Sequence, residues 1–304
     1  MRYKEGRHFV LKGQIRKALS GFYYVEHDGE MYQTRARGNF RNRNISPLVG
    51  DWVEFESTSK TDGYILEVLP RTNEMVRPQV ANIDQGVVIT SCVEPNFSAN
   101  LLDRFLVTLE ELKIQPVIYI TKMDIASDTI RAEMSEVRKT YERIGYPVIF
   151  SHNDETERLI ASFEDKLTVF MGQSGAGKST LLNEISPELA LKVGEISDAL
   201  GRGRHTTRHV ELMPIYGGLV ADTPGFSSID FLETTVDELP KTFPEFVEAS
   251  ELCKFRECKH HQEPKCEVKR LVETGDIAAS RYKNYLQFYE EITQRKPMYK
   301  KKNK

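Results

Sequence analysis

The sequence predicts three parts in series: a small all-β barrel, an α/β core, and a mainly helical C-terminal region built around a metal. Short strands separated by turn dipeptides dominate residues 1–78, strands alternate with amphipathic helices over 79–228, and three of the four cysteines fall within 253–266. Each pattern has a physical cause. Period-2 strands with Gly-containing turns close into barrels, strand–helix alternation gives a mainly parallel sheet, and clustered thiols without a disulfide environment hold metal. The expected boundaries are 1–78, 79–228 and 229–304.

In the first part, Phe22–Val25 and Met31–Thr34 flank Asp28-Gly29, a dipeptide suited to a tight hairpin. Further strands are expected at Gly13–Ala18, Trp52–Ser57 and Tyr64–Leu69. Five such strands fit a barrel of the oligonucleotide-binding (OB) type. Arg35, Arg37, Arg41 and Arg43 lie around Phe40, a combination suited to phosphate contact and base stacking.

In the second part, strands are expected at Gln85–Thr90, Pro116–Ile120, Pro147–Phe150, Leu167–Met171, Val210–Pro214 and Leu219–Ala221. Helices are expected at Asn100–Leu112, Ile130–Ile144 and from Leu181 to Ile185. The run Gly172, Gln173, Ser174, Gly175, Ala176, Gly177, Lys178, Ser179, Thr180 is a complete phosphate-binding loop (P-loop) between a buried strand and a helix. Its glycines turn backbone amides toward phosphates, and the helix N-terminus adds a favourable field. Lys178 is placed to span the β- and γ-phosphates, and the Ser179 hydroxyl to ligate Mg²⁺.

Asp222-Thr223-Pro224-Gly225 follows at a strand end, where Asp222 can hold Mg²⁺ through water and the Gly225 amide can sense a γ-phosphate. Between the two lies Gly201–Thr207, in which Thr206 or Thr207 can complete the Mg²⁺ shell. Thr121, Lys122, Met123 and Asp124 end an earlier strand. Asp124 can accept from guanine N1–H and its exocyclic amine, a donor pair that adenine lacks, which disfavours an ATPase or kinase. Ser151, after the next strand, is placed for backbone contact to guanine O6. The base-reading element thus precedes the phosphate loop, the reverse of the ordinary order, and the core is expected to be a circularly permuted P-loop GTPase. Phe226 stands where many GTPases carry a water-orienting Gln, so unassisted turnover is expected to be slow, with His205 the nearest substitute.

In the third part, Cys253-x4-Cys258-x-His260-x5-Cys266 offers three thiolates and an imidazole for one tetrahedral structural Zn²⁺, with His261 a rival fourth ligand. Lys254, Arg256, Lys259, Lys265, Lys269 and Arg270 surround it. Tyr282, Tyr285, Leu286, Tyr289 and Ile292 recur at helical spacing and read as core. Cys92 reads as a core thiol.

Net charge is −3 overall, but residues 1–78 hold 13 Lys/Arg against 10 Asp/Glu and residues 281–304 hold 8 against 2. Basic ends around an acidic centre point to a polyanion met by the ends. No signal peptide or membrane-length apolar run is visible, so a cytoplasmic chain without membrane contact is expected, and nothing in it demands more than a monomer.

Together these residues resemble the ribosome small-subunit-dependent GTPase A family, over nearly the whole chain. The resemblance rests on Leu48-Val49-Gly50-Asp51, Thr121–Asp124 placed before Gly172–Thr180, Gly201–Thr207, Asp222–Phe226, and Cys253, Cys258, His260 and Cys266. It implies an OB barrel, a permuted GTPase core and a zinc-binding helical domain. It further implies GTP hydrolysis stimulated by the small ribosomal subunit during its late maturation, with rRNA contacts, and a catalytic part for His205. Other assembly factors are possible partners. Two departures from common GTPase patterns stand out. Thr121 replaces Asn, with a weaker tie to base and phosphate loop expected, and His152 replaces Ala after Ser151. Because Asp222–Phe226 runs into the zinc-binding part, a change there on hydrolysis is expected to reorient that part.

Overall fold

A computed structural model describes residues 10–37, 40, 45–76, 78–187, 210–221 and 234–295. Strands β1 (Val10–Leu19), β2 (Phe22–His27), β3 (Glu30–Ala36), β4 (Trp52–Ser57) and β5 (Gly63–Val68) form a closed barrel in the order β1-β2-β3-β5-β4. Asp28 and Gly29 both have positive φ (50° and 76°), the turn that a two-residue hairpin between right-twisted strands requires. The barrel is closed by a parallel pairing of β3 with β5, and its centre is filled by Ile15, Val25, Val53, Phe55 and Ile65.

Phe40 corrects an expectation. It is buried among these apolar residues, 7% exposed, and so offers no face to a base. An aromatic ring gains more by packing into an apolar core than by standing in water.

The Leu48–Asp51 segment seats the barrel on the chain that follows. Asp51 is fully buried, accepts from the Leu48 amide at 2.7 Å, and is gripped by Arg71 Nε and Nη2 at 2.7 and 2.8 Å. A Cβ on Gly50 would meet the Ala81 carbonyl oxygen at 2.1 Å, so only glycine lets the two backbones pass. Strands β6 (Glu74–Met75) and β7 (Val80–Ala81) complete this junction.

The core is a six-stranded sheet in the order β10-β9-β8-β11-β13-β12, built from β8 (Gln85–Ser91), β9 (Gln115–Thr121), β10 (Val148–Phe150), β11 (Leu167–Gly172), β12 (Leu212–Ile215) and β13 (Gly218–Ala221). It is parallel except for the last strand, β12, which pairs antiparallel with β13 across the tight turn Tyr216-Gly217. Alternate residues of one strand enter different cores. Val88 packs with the helices α1 (Ala99–Glu111) and α2 (Asp128–Ile144), while Val87 and Ile89 pack with α3 (Asn153–Ala161) and α4 (Lys178–Ile185). Ser98 and Ser127 cap α1 and α2 by accepting from the Leu101 and Ile130 amides. α3 was not expected from sequence. It is short, and its apolar residues are confined to its end, Leu159 to Ala161.

The C-terminal region holds a 3₁₀ turn (Leu239–Thr242) and helices α5 (Pro244–Ser250), α6 (Glu267–Thr274) and α7 (Ala279–Gln294). Its core contains Phe243, Phe246, Tyr285 and Phe288, and it takes in Val107 from α1. Tyr285 is fully buried and Tyr282, Leu286, Tyr289 and Ile292 pack around it, as expected. No helix among the described residues is long and apolar enough to cross a membrane.

Candidate nucleotide site and metal centre

β11 delivers the chain to Gly172 beside β8, and the loop 173–177 then turns into α4 at Lys178. A Cβ on Gly172 would lie 2.2 Å from the Ile89 carbonyl oxygen, so the loop leaves the sheet at a point where no side chain fits. Gly175 and Gly177 have φ of 78° and 94°, the left-handed region that glycine enters without steric cost. Ala176 is buried, while Ser174, Gly175, Ser179 and Thr180 are exposed and Gln173 and Lys178 are half-buried.

The expected base-reading element, Thr121–Asp124, comes to this loop across the sheet. β9 ends at Thr121, whose hydroxyl donates to the Ala176 carbonyl at 2.6 Å and lies 3.3 Å from the Thr90 carbonyl. A Cβ on Gly177 would meet the Thr121 side chain at 3.3 Å. Thr121, standing where Asn is usual, thus makes a short, buried hydrogen bond to the phosphate loop. The shorter side chain serves because Gly177 lets the loop approach.

Lys122 has positive φ, and its ammonium donates to the Glu94 carbonyl. Met123 is buried, with its amide 3.4 Å from Ser151 Oγ, and Asp124 is exposed at the mouth of the site. The Arg131 guanidinium holds the Asp124 and Ala126 carbonyls at 3.1 and 2.9 Å, fixing the turn beyond the motif. Ser151 is set by its amide on the Ile120 carbonyl at 2.8 Å, and the exposed His152 begins α3.

Sequence reasoning missed the turn between β8 and α1. Ser91 Oγ donates to the Pro95 carbonyl at 2.6 Å, and a Cβ on Gly175 would lie 3.6 Å from the Pro95 ring. Its signal was available, since this turn follows a strand end next to the phosphate-loop strand. Cys92 is buried beneath, as expected, its thiol donating to the Lys122 carbonyl at 3.2 Å. His205, Thr206, Thr207, Asp222 and Gly225 lie outside the described residues, as do Arg41, Arg43 and Phe226.

A groove of about 1270 Å³ opens between the barrel and the other end of the sheet, lined by Arg16, Trp52, Lys166 and Tyr216. It faces the N-terminal ends of β11 and β13. Ligands of parallel sheets sit at the carboxyl ends, where Thr121 and Gly172 are.

In the C-terminal region, the Cys253, Cys258 and Cys266 sulfurs and a His260 ring nitrogen all lie within 4.8 Å of one another. Cys253 Sγ is 3.7 Å from His260 Nδ1 and 4.0 Å from Cys266 Sγ, and His260 Nδ1 is 3.3 Å from Cys266 Sγ. Tetrahedral zinc with ordinary bond lengths places its ligand atoms about 3.5–3.8 Å apart, a range these spacings bracket, so the set is compatible with zinc. The cysteines are free thiols.

Burial pushes the Cys258 thiol up to about 12, and the neighbouring cysteines add to this. A divalent cation reverses that balance by favouring thiolate. Burial holds the His260 imidazole below its ordinary value, which favours the neutral ligand form. The loop around it is pinned. Glu263 accepts from the Lys259 and His261 amides at 2.8 and 3.0 Å, and Tyr282 donates to the His260 carbonyl at 2.8 Å. The His261 ring instead lies tilted against Tyr289, with centroids 4.9 Å apart, and the cluster takes in His260 as its fourth member.

A reversed order of motifs around one parallel sheet, with a Cys₃His cluster behind it, is matched by known proteins. The family described as RsgA GTPase matches residues 68–232, and the RsgA N-terminal domain matches residues 12–65. The chain belongs to the RsgA GTPase family. A curated relative from Enterococcus faecalis, a "small ribosomal subunit biogenesis GTPase RsgA", is 68% identical over 96% of this chain and 99% of its own length. A relative of the same name from Latilactobacillus sakei is 56% identical over 95% of this chain and 98% of its own. The crystal structure of YloQ, "a circularly permuted GTPase", covers 98% of this chain and 100% of its own at 45% identity, with a TM-score of 0.82. That of YjeQ from Thermotoga maritima covers 95% of this chain and 100% of its own at 33% identity, with a TM-score of 0.84. The fold is therefore a circularly permuted GTPase core carrying an N-terminal OB-like barrel and a helical region suited to zinc.

Proposed function

We propose that the chain hydrolyses GTP to GDP and phosphate in late maturation of the small ribosomal subunit, with hydrolysis stimulated by that subunit. The observation that carries the nucleotide part is the Thr121 hydroxyl on the Ala176 carbonyl, which joins the base-reading and phosphate-binding elements. The ribosomal part is supported by the names of relatives 56–68% identical over nearly full length.

In this reading Asp124 and Ser151 select guanine, Gly172–Thr180 wraps the phosphates, and Lys178 neutralises charge that builds on the β–γ bridge. Mg²⁺ bound with GTP supplies Lewis-acid stabilisation of the phosphates. Ser179, Asp222 and Thr206 or Thr207 would hold it. His205 is the candidate for orienting the attacking water, and Asp222–Phe226 the candidate for carrying a hydrolysis-linked change toward the C-terminal region. Zn²⁺ on Cys253, Cys258, His260 and Cys266 is structural, because four protein ligands leave no open position.

For rRNA, the barrel offers Arg35. Its guanidinium stacks 4.5 Å above Phe22, and the register aligns it with exposed Tyr64. An arginine between aromatics suits an unpaired base and its phosphate. Near the metal cluster, Lys254, Arg256 and Lys265 are exposed, whereas Lys259 pairs with Asp237 and Arg270 with Glu267. A monomeric, cytoplasmic protein meets these needs.

The test is phosphate release from GTP with and without purified small subunits. Strong stimulation is expected. A rate unchanged by the subunit would leave only a nucleotide-gated RNA tether.

A further inference from the structure

The turn that leads into helix α1 and the first half of the helix contact different parts of the molecule. The turn before the helix touches the candidate nucleotide site: the Glu94 carbonyl accepts from Lys122 Nζ, and the Pro95 ring faces Gly175 of the phosphate loop. Further along, the helix is bound to α7. Asn100 donates to Asn284 and Gln287, each at 3.1 Å, and Arg104 pairs with Glu291 at 2.5 Å while its guanidinium lies 4.7 Å over Phe288.

Between these contacts sits a buried polar cluster. Asp103, fully buried, accepts from Arg281 at 2.6 Å, from Asn284 at 2.6 Å and from Tyr141 at 2.7 Å. Arg281 is 1% exposed and also donates to Glu245 at 2.7 Å. Burial opposes its charge, but Asp103 and Glu245 outweigh that and keep the guanidinium ionised. Removing either partner strands a buried charge, so α1 and α7 separate only at high cost. Val107 adds an apolar anchor in the C-terminal core.

We propose that α1 positions the guanine pocket on behalf of the C-terminal helices. α7 holds Asp103 and Arg104, these fix α1, and α1 sets the Glu94–Pro95 turn that holds Lys122 beside the phosphate loop. Asp103, Arg104 and Arg281 are positioning residues, since they act through α1 and belong to neither Thr121–Asp124 nor Gly172–Thr180. The inference rests on reading Thr121–Asp124 and Gly172–Thr180 as the nucleotide site. Linkage makes the effect reciprocal: whatever docking of α7 does to nucleotide affinity, nucleotide does to the docking of α7. This route runs through residues 92–104 and does not need the segment 222–233. A partner gripping the C-terminal helices would reach the nucleotide through it.

The experiment uses the full chain with fluorescent GDP titration and hydrogen exchange of the α7 amides. Saturating GDP should slow exchange in α7 about 5-fold or more, the lower end of usual coupling between sites. Arg104→Ala, which leaves the buried Asp103–Arg281 pair intact and should fold, is expected to raise the GDP Kd about 5-fold. Asp103→Asn should raise it further. Lys17→Ala, which removes the barrel contact to Glu211, should leave it unchanged. A purely structural role would lower melting points without moving Kd. Unaltered α7 exchange on GDP saturation, with wild-type Kd in Arg104→Ala and Asp103→Asn, overturns the inference alone. A wild-type chain that takes up no GDP overturns the nucleotide reading together with it.

Discussion

The hydroxyl of Thr121 and the carbonyl of Ala176 meet at 2.6 Å across 55 residues of chain, with the proposed base-reading element first and the phosphate loop second. Inverting the order of two motifs in the chain leaves their contact intact because both sit at carboxyl ends of parallel strands. β9 and β11 each pair with β8, and the register carries Thr121 and Gly172 to the same edge. Where the chain begins and ends is immaterial to that geometry.

Thr121→Val keeps the shape and deletes the donor. The Ala176 carbonyl would then be buried without a partner, a loss of about 1–3 kcal/mol. GDP affinity should fall on the order of ten-fold. Titration with fluorescent GDP measures this, and Thr121→Ser should retain most of the affinity.

Gly172→Ala forces a methyl group against the Ile89 backbone, 2.2 Å from its oxygen. Two paired strands cannot part locally without losing ladder bonds, so the change should destabilise the core by about 1–3 kcal/mol or more. Thermal melting should show the drop, and nucleotide titration should show a loss of binding in whatever protein remains folded.

Cys258→Ser removes a buried ligand from the Cys₃His set. Elemental analysis should find about one zinc per wild-type chain and a large reduction in the variant. Because metal binding in such sites is coupled to folding, hydrogen exchange should rise across residues 244–294. His261→Ala should leave metal content unchanged, since that ring lies outside the cluster.

Acid should loosen the α1–α7 contact. The hydrogen bond from Arg104 holds the Glu291 carboxyl below its ordinary value of 4.5. A depressed carboxylate contributes stability that is complete above that ordinary value and is lost as pH falls through the lower, folded one. Melting midpoints measured across pH 3–6 should therefore decline more steeply below pH 4.5 in the wild type than in Glu291→Gln.

Local chemistry made much of the molecule legible beforehand. Asp28-Gly29 announces its hairpin because the φ values such a turn needs exclude most residues. The phosphate loop is written in glycines for the same reason, and the cysteine spacing carries its ligand geometry within fourteen residues. Phe40 was misread because its sequence neighbours are arginines, while its spatial neighbours are the apolar residues of the barrel. β12 gave no sign of running antiparallel, because a four-residue apolar strand reads the same in either direction.

The sequence alone determined which residues are candidates to bind phosphate, guanine and a soft metal, because those capacities reside in side chains and in short runs of backbone. Tertiary structure decided which of them meet. His260 was chosen over its neighbour His261 by the loop that Glu263 pins, and Thr121 was given its acceptor by a strand register. Asp103 found Arg281, 178 residues away, in a helix pairing for which no local pattern exists. Contacts between distant segments depend on packing the whole chain at once, and a pattern confined to a few neighbouring residues carries no record of them.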